Sequence, residues 1–142
     1  MSIESDTISF VESIESITPS DLQGFFVGWP NPPSPNTLHQ ILSNSTHIVL
    51  ALDTNTHRAV GLINCISDGI LSAYIPLLEV LPDYKPLGIG SELVRRMLEM
   101  TSKYYMVDLC CDEALVPFYE RAGMKKVAGM IWRNYERRDG IL

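Results

Sequence analysis

Long apolar runs are missing from this 142-residue chain. None reaches the roughly 18 uninterrupted residues that a membrane-crossing helix needs. Cysteine is scarce as well. Cys65, Cys110 and Cys111 make neither a disulfide framework nor a zinc-ligand spacing, and the adjacent pair reads as small residues on a buried strand. His39, His47 and His57 are scattered without a nucleophile or ligand partner, so no metal is expected. Positive charge is also in short supply, with eleven Lys and Arg against seventeen Asp and Glu and a formal charge of −6. The clustered bases that grip a phosphate backbone are absent, which argues against nucleic-acid binding and mildly favours a cationic small partner. The opening Met1-Ser2-Ile3-Glu4-Ser5-Asp6 lacks the basic region and apolar stretch of a secretory signal, so a cytoplasmic protein without a membrane role is expected.

What remains is ordinary globular material, 46% apolar and 20% charged, of a length that suits one domain spanning residues 1–142. Thr7 to Ser13 alternates like an edge strand. Thr18-Pro19 opens a short helix, because Pro suits the first helical position. The run Trp29-Pro30-Asn31-Pro32-Pro33-Ser34-Pro35 breaks regular structure, and a second helix follows from Pro35 to Leu42. His47–Leu52 and Ala59–Ile66 flank the turn chemistry of Asp53-Thr54-Asn55-Thr56 and read as a hairpin. Ile70 to Leu81 reads as one long strand buried on both faces. Gly88 to Lys103 is an amphipathic helix with Leu93, Val94, Met97 and Leu98 inward and Glu92/Arg96 and Glu99/Lys103 paired in water. Tyr104–Cys111 is a strand, a helix starts near Ala114 with Gly123 as its left-handed cap, and Val127–Glu136 is a closing strand. This order predicts an α+β domain in which a crossover helix creates one parallel pair within a mostly antiparallel sheet.

The chemistry concentrates in Leu78-Glu79-Val80-Leu81-Pro82-Asp83-Tyr84-Lys85-Pro86-Leu87-Gly88-Ile89-Gly90-Ser91, where a strand ends and a helix opens on Gly-x-Gly. Glycines let backbone amides approach an oxyanion, and the helix N-terminus adds free N–H groups and partial positive charge. A P-loop is excluded because no Lys-Ser or Lys-Thr follows the glycines. A dinucleotide fingerprint is excluded because Leu93 stands where its third glycine belongs. Coenzyme A is the pyrophosphate ligand left.

This segment resembles the first motif of the GNAT superfamily of N-acetyltransferases, Gln/Arg-x-x-Gly-x-Gly/Ala, with Lys85 in the first position. Phe118-Tyr119-Glu120-Arg121-Ala122-Gly123-Met124 resembles the second, Phe-Tyr-x-x-x-Gly-Phe, and Asp112 stands where an Asn often precedes its helix. The likeness is strong from about Leu71 to Tyr135. It implies a GNAT fold, with a mixed, mostly antiparallel sheet, a central parallel strand pair and flanking helices. It also implies acetyl-CoA as cosubstrate and an amine acceptor, small or peptidic, in a direct ternary complex. Lys85, Pro86, Leu87, Gly88, Ile89, Gly90, Ser91 and Asp112 would hold the cosubstrate, with backbone groups of Leu78 and Val80 along its pantetheine arm. Tyr119 matches the tyrosine that protonates the departing thiolate and also touches the cosubstrate. Glu79, an acid inside an apolar strand, is either the acceptor of the amine's proton, directly or through water, or a carboxylate facing solvent or a base. Phe26, Trp29 and Tyr74 fall in segments that wall the acceptor pocket. Members of the family often dimerise, although no interface is legible here. The competing expectations are a non-catalytic acyl-CoA-binding module and a structural domain whose glycines merely turn the chain.

Overall fold

The computed structural model describes residues 7–141, so the acidic segment Met1–Asp6 lies outside the described residues. β1 (Ile8–Val11), β2 (His47–Asp53) and β3 (Ala59–Ser67) form an antiparallel meander, with Ile8 opposite Asp53 and Val49 opposite Ile63. The interior of β2 and β3 is almost wholly apolar and both are buried, as a core strand covered on both faces requires. Between β1 and β2 lie a 3₁₀ turn at Pro19–Leu22 and helix α1 (Pro35–Ser43). Thr18 N–H donates to Asp21 Oδ2 at the turn, and Ser34 Oγ accepts from Thr37 N–H at the start of α1.

The expected long strand from Ile70 to Leu81 is broken. β4 (Ser72–Tyr74) and β5 (Leu78–Val80) both pair antiparallel with β3, but the register slips between Ile66↔Tyr74 and Ile63↔Leu78. Three residues, Ile75, Pro76 and Leu77, then oppose Asn64 and Cys65, which is a bulge. Pro76 has no N–H to give, and the side chain of Asn64 repairs the ladder: Leu77 N–H donates to Asn64 Oδ1 (3.0 Å) while Asn64 Nδ2 donates to Ser45 Oγ (3.0 Å). Ile70 and Leu71 are exposed, so burial on both faces does not extend to this end.

Helix α2 (Ile89–Met100) crosses back over the sheet to β6 (Met106–Asp108), which lies parallel to β4. The helix is shorter than the sequence suggests, because a turn at Thr101 ends it. Arg96 pairs with Glu92 as expected, but Glu99 pairs with Arg95 and not with Lys103. Gly61 on β3 brings α2 close, since a Cβ there would lie 2.9 Å from Ile89 Cγ2 and 3.2 Å from Leu93 Cδ1. β6 stops at Asp108, so Cys110 and Cys111 are exposed beyond it and not strand residues. A 3₁₀ turn at Glu113–Leu115 leads into α3 (Val116–Arg121), with Gly123 left-handed after it (φ 98°).

The strand order is β1-β2-β3-β4-β6, with β5 also on β3. The parallel pair therefore stands at one end of the sheet among the described residues. The closing strand expected over Val127–Glu136 is not present: among the described residues this segment pairs with no strand, and only a 3₁₀ turn forms there, at Tyr135–Arg137.

Candidate active site

The bulge at Ile75–Leu77 has a consequence for β6. Parallel pairing holds through Ile75, whose N–H donates to Asp108 O (2.9 Å), and β5 pairs only with β3 thereafter. The two strands diverge and a cleft opens between them. Leu77 N–H and Leu81 N–H both point toward β3. With the two-residue alternation of a strand, the backbone groups of Leu78 and Val80 face the other way, into the cleft.

The cleft has a volume of about 680 Å³ and gathers residues far apart in sequence. Leu78, Glu79, Val80, Lys85, Gly88, Gly90, Ser91, Asp112 and Tyr119 line it, and so do Phe26 and Trp29 at its far end. Pro86, Leu87 and Ile89 supply the turn and not the lining; the Ile89 side chain is buried in the core. Tyr74 is not part of this wall either. Its hydroxyl lies against Cys110, which holds its pKa above the ordinary value. Sequence reasoning missed Val27, Leu62, Pro76, Leu77, Pro82, Leu115 and Phe118, all of which line the cleft. For Pro76 and Phe118 a signal was present: a proline inside a strand, and the aromatic before Tyr119.

One end of the cleft is built from backbone. The turn at Pro82–Leu87 is tied to the sheet by Tyr84, whose hydroxyl donates to Asp53 Oδ2 (2.7 Å). That bond, with burial adding to it, pushes the tyrosine pKa up. Gly88 then takes a left-handed conformation (φ 74°) as α2 begins, with open space where a Cβ would project. A Cβ on Gly90 would come within 3.6 Å of Phe118 Cζ and 3.8 Å of Val80 Cγ2. Gly88 caps the helix and Gly90 adds no side chain to its first turn, whose N–H groups lack partners within the helix beside the cleft. Lys85 is the single cation among the lining residues. A bare helix N-terminus with one cation beside a strand that offers free amides fits an elongated phosphate-bearing ligand such as coenzyme A.

The other end is built from a loop. Phe26 takes a left-handed conformation (φ 64°), uncommon for an aromatic residue, between left-handed Gly24 and Gly28. The carboxylate of Glu79 holds it there: Phe26 N–H donates to Oε1 (2.8 Å) and Val27 N–H to Oε2 (3.3 Å). Glu79 thus spends its carboxylate on the loop amides while lining the cleft, and pairs with no base among the described residues. Phe26 is buried and packs on half-exposed Trp29, with ring centroids 4.8 Å apart.

Between the two ends stands Tyr119, buried edge-on against Phe118 (4.9 Å, 83°). Burial, with Cys111 adding to it, pushes its pKa up to about 12, so the hydroxyl holds its proton throughout the neutral range. No cysteine or histidine lies in the lining. Among the described residues no cluster of His, Cys, Asp or Glu could hold a metal ion, and no helix is long and apolar enough to cross a membrane.

A family model for the acetyltransferase (GNAT) domain matches residues 22–135. A solved structure from Deinococcus radiodurans R1, a candidate acetyltransferase, is 47% identical and superposes with a TM-score of 0.96 over 100% of this chain and 99% of its own. A GNAT family acetyltransferase from Streptococcus pneumoniae TIGR4 is 34% identical, with a TM-score of 0.67 over 89% of this chain and 98% of that one. The glucosamine-6-phosphate N-acetyltransferase of Arabidopsis thaliana shares the fold at 13% identity, with a TM-score of 0.69 over 90% of this chain and 98% of its own. Among curated proteins, none matches the chain.

Proposed function

Since the chain belongs to the GNAT acetyltransferase family, we propose that it transfers an acetyl group from acetyl-CoA to the nitrogen of an amine, with both substrates bound together. The observation that carries this reading is the divergence of β5 from β6, which joins a phosphate-binding end and an aromatic end through a single cleft. Acetyl-CoA supplies the activated thioester. The protein's part is to bind, orient and move protons.

At the donor end, the first turn of α2 and Lys85 take the phosphates, and Leu78 and Val80 hold the pantetheine amides by strand-like hydrogen bonds. A backbone N–H of β5 facing the cleft steadies negative charge on the carbonyl oxygen. At the acceptor end, Phe26 and Trp29 wall the amine. Glu79 uses two of a carboxylate's roughly four acceptor sites on the loop amides, and the remainder can take the amine's proton. Tyr119 carries a proton on Oη at neutral pH and delivers it toward the departing sulfur. With its pKa raised, the hydroxyl is neutral at working pH and is available as a proton donor. Without a cysteine or histidine in the lining to carry the acyl group, direct attack by the amine is the simpler route.

The test is turnover of acetyl-CoA, followed by thiol release, across a panel of small amines and peptides. At 100 times its dissociation constant, CoA should also stabilise the fold by about 2.7 kcal/mol, with no matching shift from ATP or NAD. Gly90→Val should weaken CoA by about tenfold, because its methyl groups crowd Phe118 and Val80, where overpacking costs about 1–3 kcal/mol. CoA binding without turnover on any amine would leave an acyl-CoA-binding module as the function. No CoA shift would remove both readings.

A further inference from the structure

The wall at the acceptor end of the cleft is apolar almost throughout. Val27 is 59% exposed and Trp29 45%, two apolar side chains left open on a concave surface. The rings of Phe26 and Trp29 meet at 54° with centroids 4.8 Å apart, which makes a corner and not a flat wall. Pro76 and Leu77, just before β5 begins, add to the same lining. In a small-molecule site, surface of this kind takes the body of the ligand, and a few placed polar groups fix its orientation.

One charged group belongs to this end. Glu79 gives its two oxygens to the amides of Phe26 and Val27, which fixes the carboxylate in place. The other charged lining residues stand elsewhere: Lys85 in the turn after β5, and Asp112 beyond β6, before α3. A single ammonium matches the spare acceptor capacity of Glu79, and the aromatic corner adds its own attraction for a cation. A carboxylate or phosphate on the acceptor would meet Glu79 and no cation. A second ammonium would find no second acid at this end. Sugar hydroxyls would lie against Val27, Trp29 and Pro76. Among the described residues no buried side-chain nitrogen or oxygen is left without a partner to receive them. Polar groups covered without a partner are costly, so this wall selects against all three.

On the transfer reading above, we infer that the acceptor is a small primary amine with a single positive charge and an apolar body. Its nitrogen lies by Glu79, and its body rests in the Phe26–Trp29 corner against Val27. Size agrees with this. The cleft of about 680 Å³ falls within the ~300–1,000 Å³ that holds one drug-sized ligand, and the arm of the cosubstrate takes part of it. The net charge of −6 draws a small cation toward the protein.

The experiment measures thiol release from acetyl-CoA by the full chain with two matched pairs of amines. Isopentylamine is set against leucine, which adds a carboxylate to the same body, and hexylamine against hexamethylenediamine, which adds a second ammonium. Each monoamine should exceed its partner in kcat/KM by about tenfold or more. Ethylamine, which lacks the body, should also fall behind isopentylamine. Val27→Asp sets a second acid on an exposed position and should move the hexylamine-to-diamine ratio about tenfold toward the diamine; Val27→Lys should do the same for leucine. Leucine, hexamethylenediamine, a glucosamine phosphate or a lysine peptide turned over as well as the monoamines overturns the proposal. So do Val27 variants that leave both ratios unchanged. Absence of thiol release with every amine overturns the transfer reading instead. Calorimetric titration of the same pairs into the CoA-bound chain then decides recognition, and equal affinities within each pair overturn it.

Discussion

At the end of the cleft proposed to take the donor, the proposed contacts are mostly main chain: the first turn of α2 and the outward amides of β5. At the acceptor end the equivalent surface is Phe26, Val27 and Trp29, carried on a loop that a single carboxylate, Glu79, holds in shape. A backbone site is fixed once the fold forms and is indifferent to most substitutions that preserve it. A side-chain site on a pinned loop can be re-specified by a few changes without disturbing the sheet. The pairing suits an enzyme that keeps one substrate constant while the other varies.

The sharpest way to test this division is at the point where the two ends meet. Tyr119→Phe removes one oxygen and leaves the packing of Phe118 intact. Turnover should fall by roughly 10²–10⁴-fold, the usual contribution of a positioned acid, while CoA affinity is retained. Because the folded pKa lies near 12, the wild-type acid stays protonated through the working range. A free thiol ionises near 8.5 and then leaves without help, so the deficit should shrink as pH rises above that value. A pH profile of kcat for both proteins reads this out. A variant with undiminished turnover at pH 7 would show that the proton comes from elsewhere.

A smaller effect is expected from Glu79→Ala. Two charge-assisted hydrogen bonds to the loop are lost, at about 1.5–3 kcal/mol each when fully counted, and the freed loop should cost the amine about 10–100-fold in kcat/KM. CoA affinity should barely move. Glu79→Gln separates the two roles of the carboxylate. If it serves only to hold the loop, the amide oxygen can still take one backbone N–H, and the amine KM should partly recover. If it also takes the amine's proton, kcat stays low even where the amine KM recovers. Equal losses for CoA and amine would break the division between the ends.

The smallest effect is expected from Trp29→Ala, which takes a half-exposed ring off Phe26. The amine KM should rise about three- to tenfold, in line with ~0.5–1.5 kcal/mol for an aromatic pair, and CoA binding should be unaffected. Steady-state kinetics with each substrate varied in turn decide it.

The same division explains what could be read in the sequence. The donor end was legible because Gly88 and Gly90 at the mouth of an amphipathic helix have a physical meaning independent of context, as does the hairpin around Asp53–Thr56. The acceptor loop was legible only as irregular: the left-handed turn at Phe26 depends on Glu79, 53 residues away, and no local pattern announces such a bond. The break in the long strand had a local signal, Pro76, but its repair by the buried amide of Asn64 did not. In Val127–Glu136 the apolar pattern suggests a strand, but a strand also needs a partner, and among the described residues none pairs with that segment. The exposure of Cys110 and Cys111 follows from the same misjudged length, because β6 ends three residues sooner than its apolar run suggested.

Gly61 lies in the sheet beneath all of this, and its missing side chain sets a height. Ile89 and Leu93 rest almost directly on the β3 main chain, so the first turn of α2, proposed above to take the phosphates, sits at whatever level that contact allows. The glycine acts as a gauge: a methyl group there would shim the helix upward and tilt its first turn away from β5, altering the reach between phosphates and thioester. If the cleft binds the cosubstrate as proposed, its affinity should report the packing of Gly61 against Ile89 and Leu93 as well as the contacts in the cleft itself.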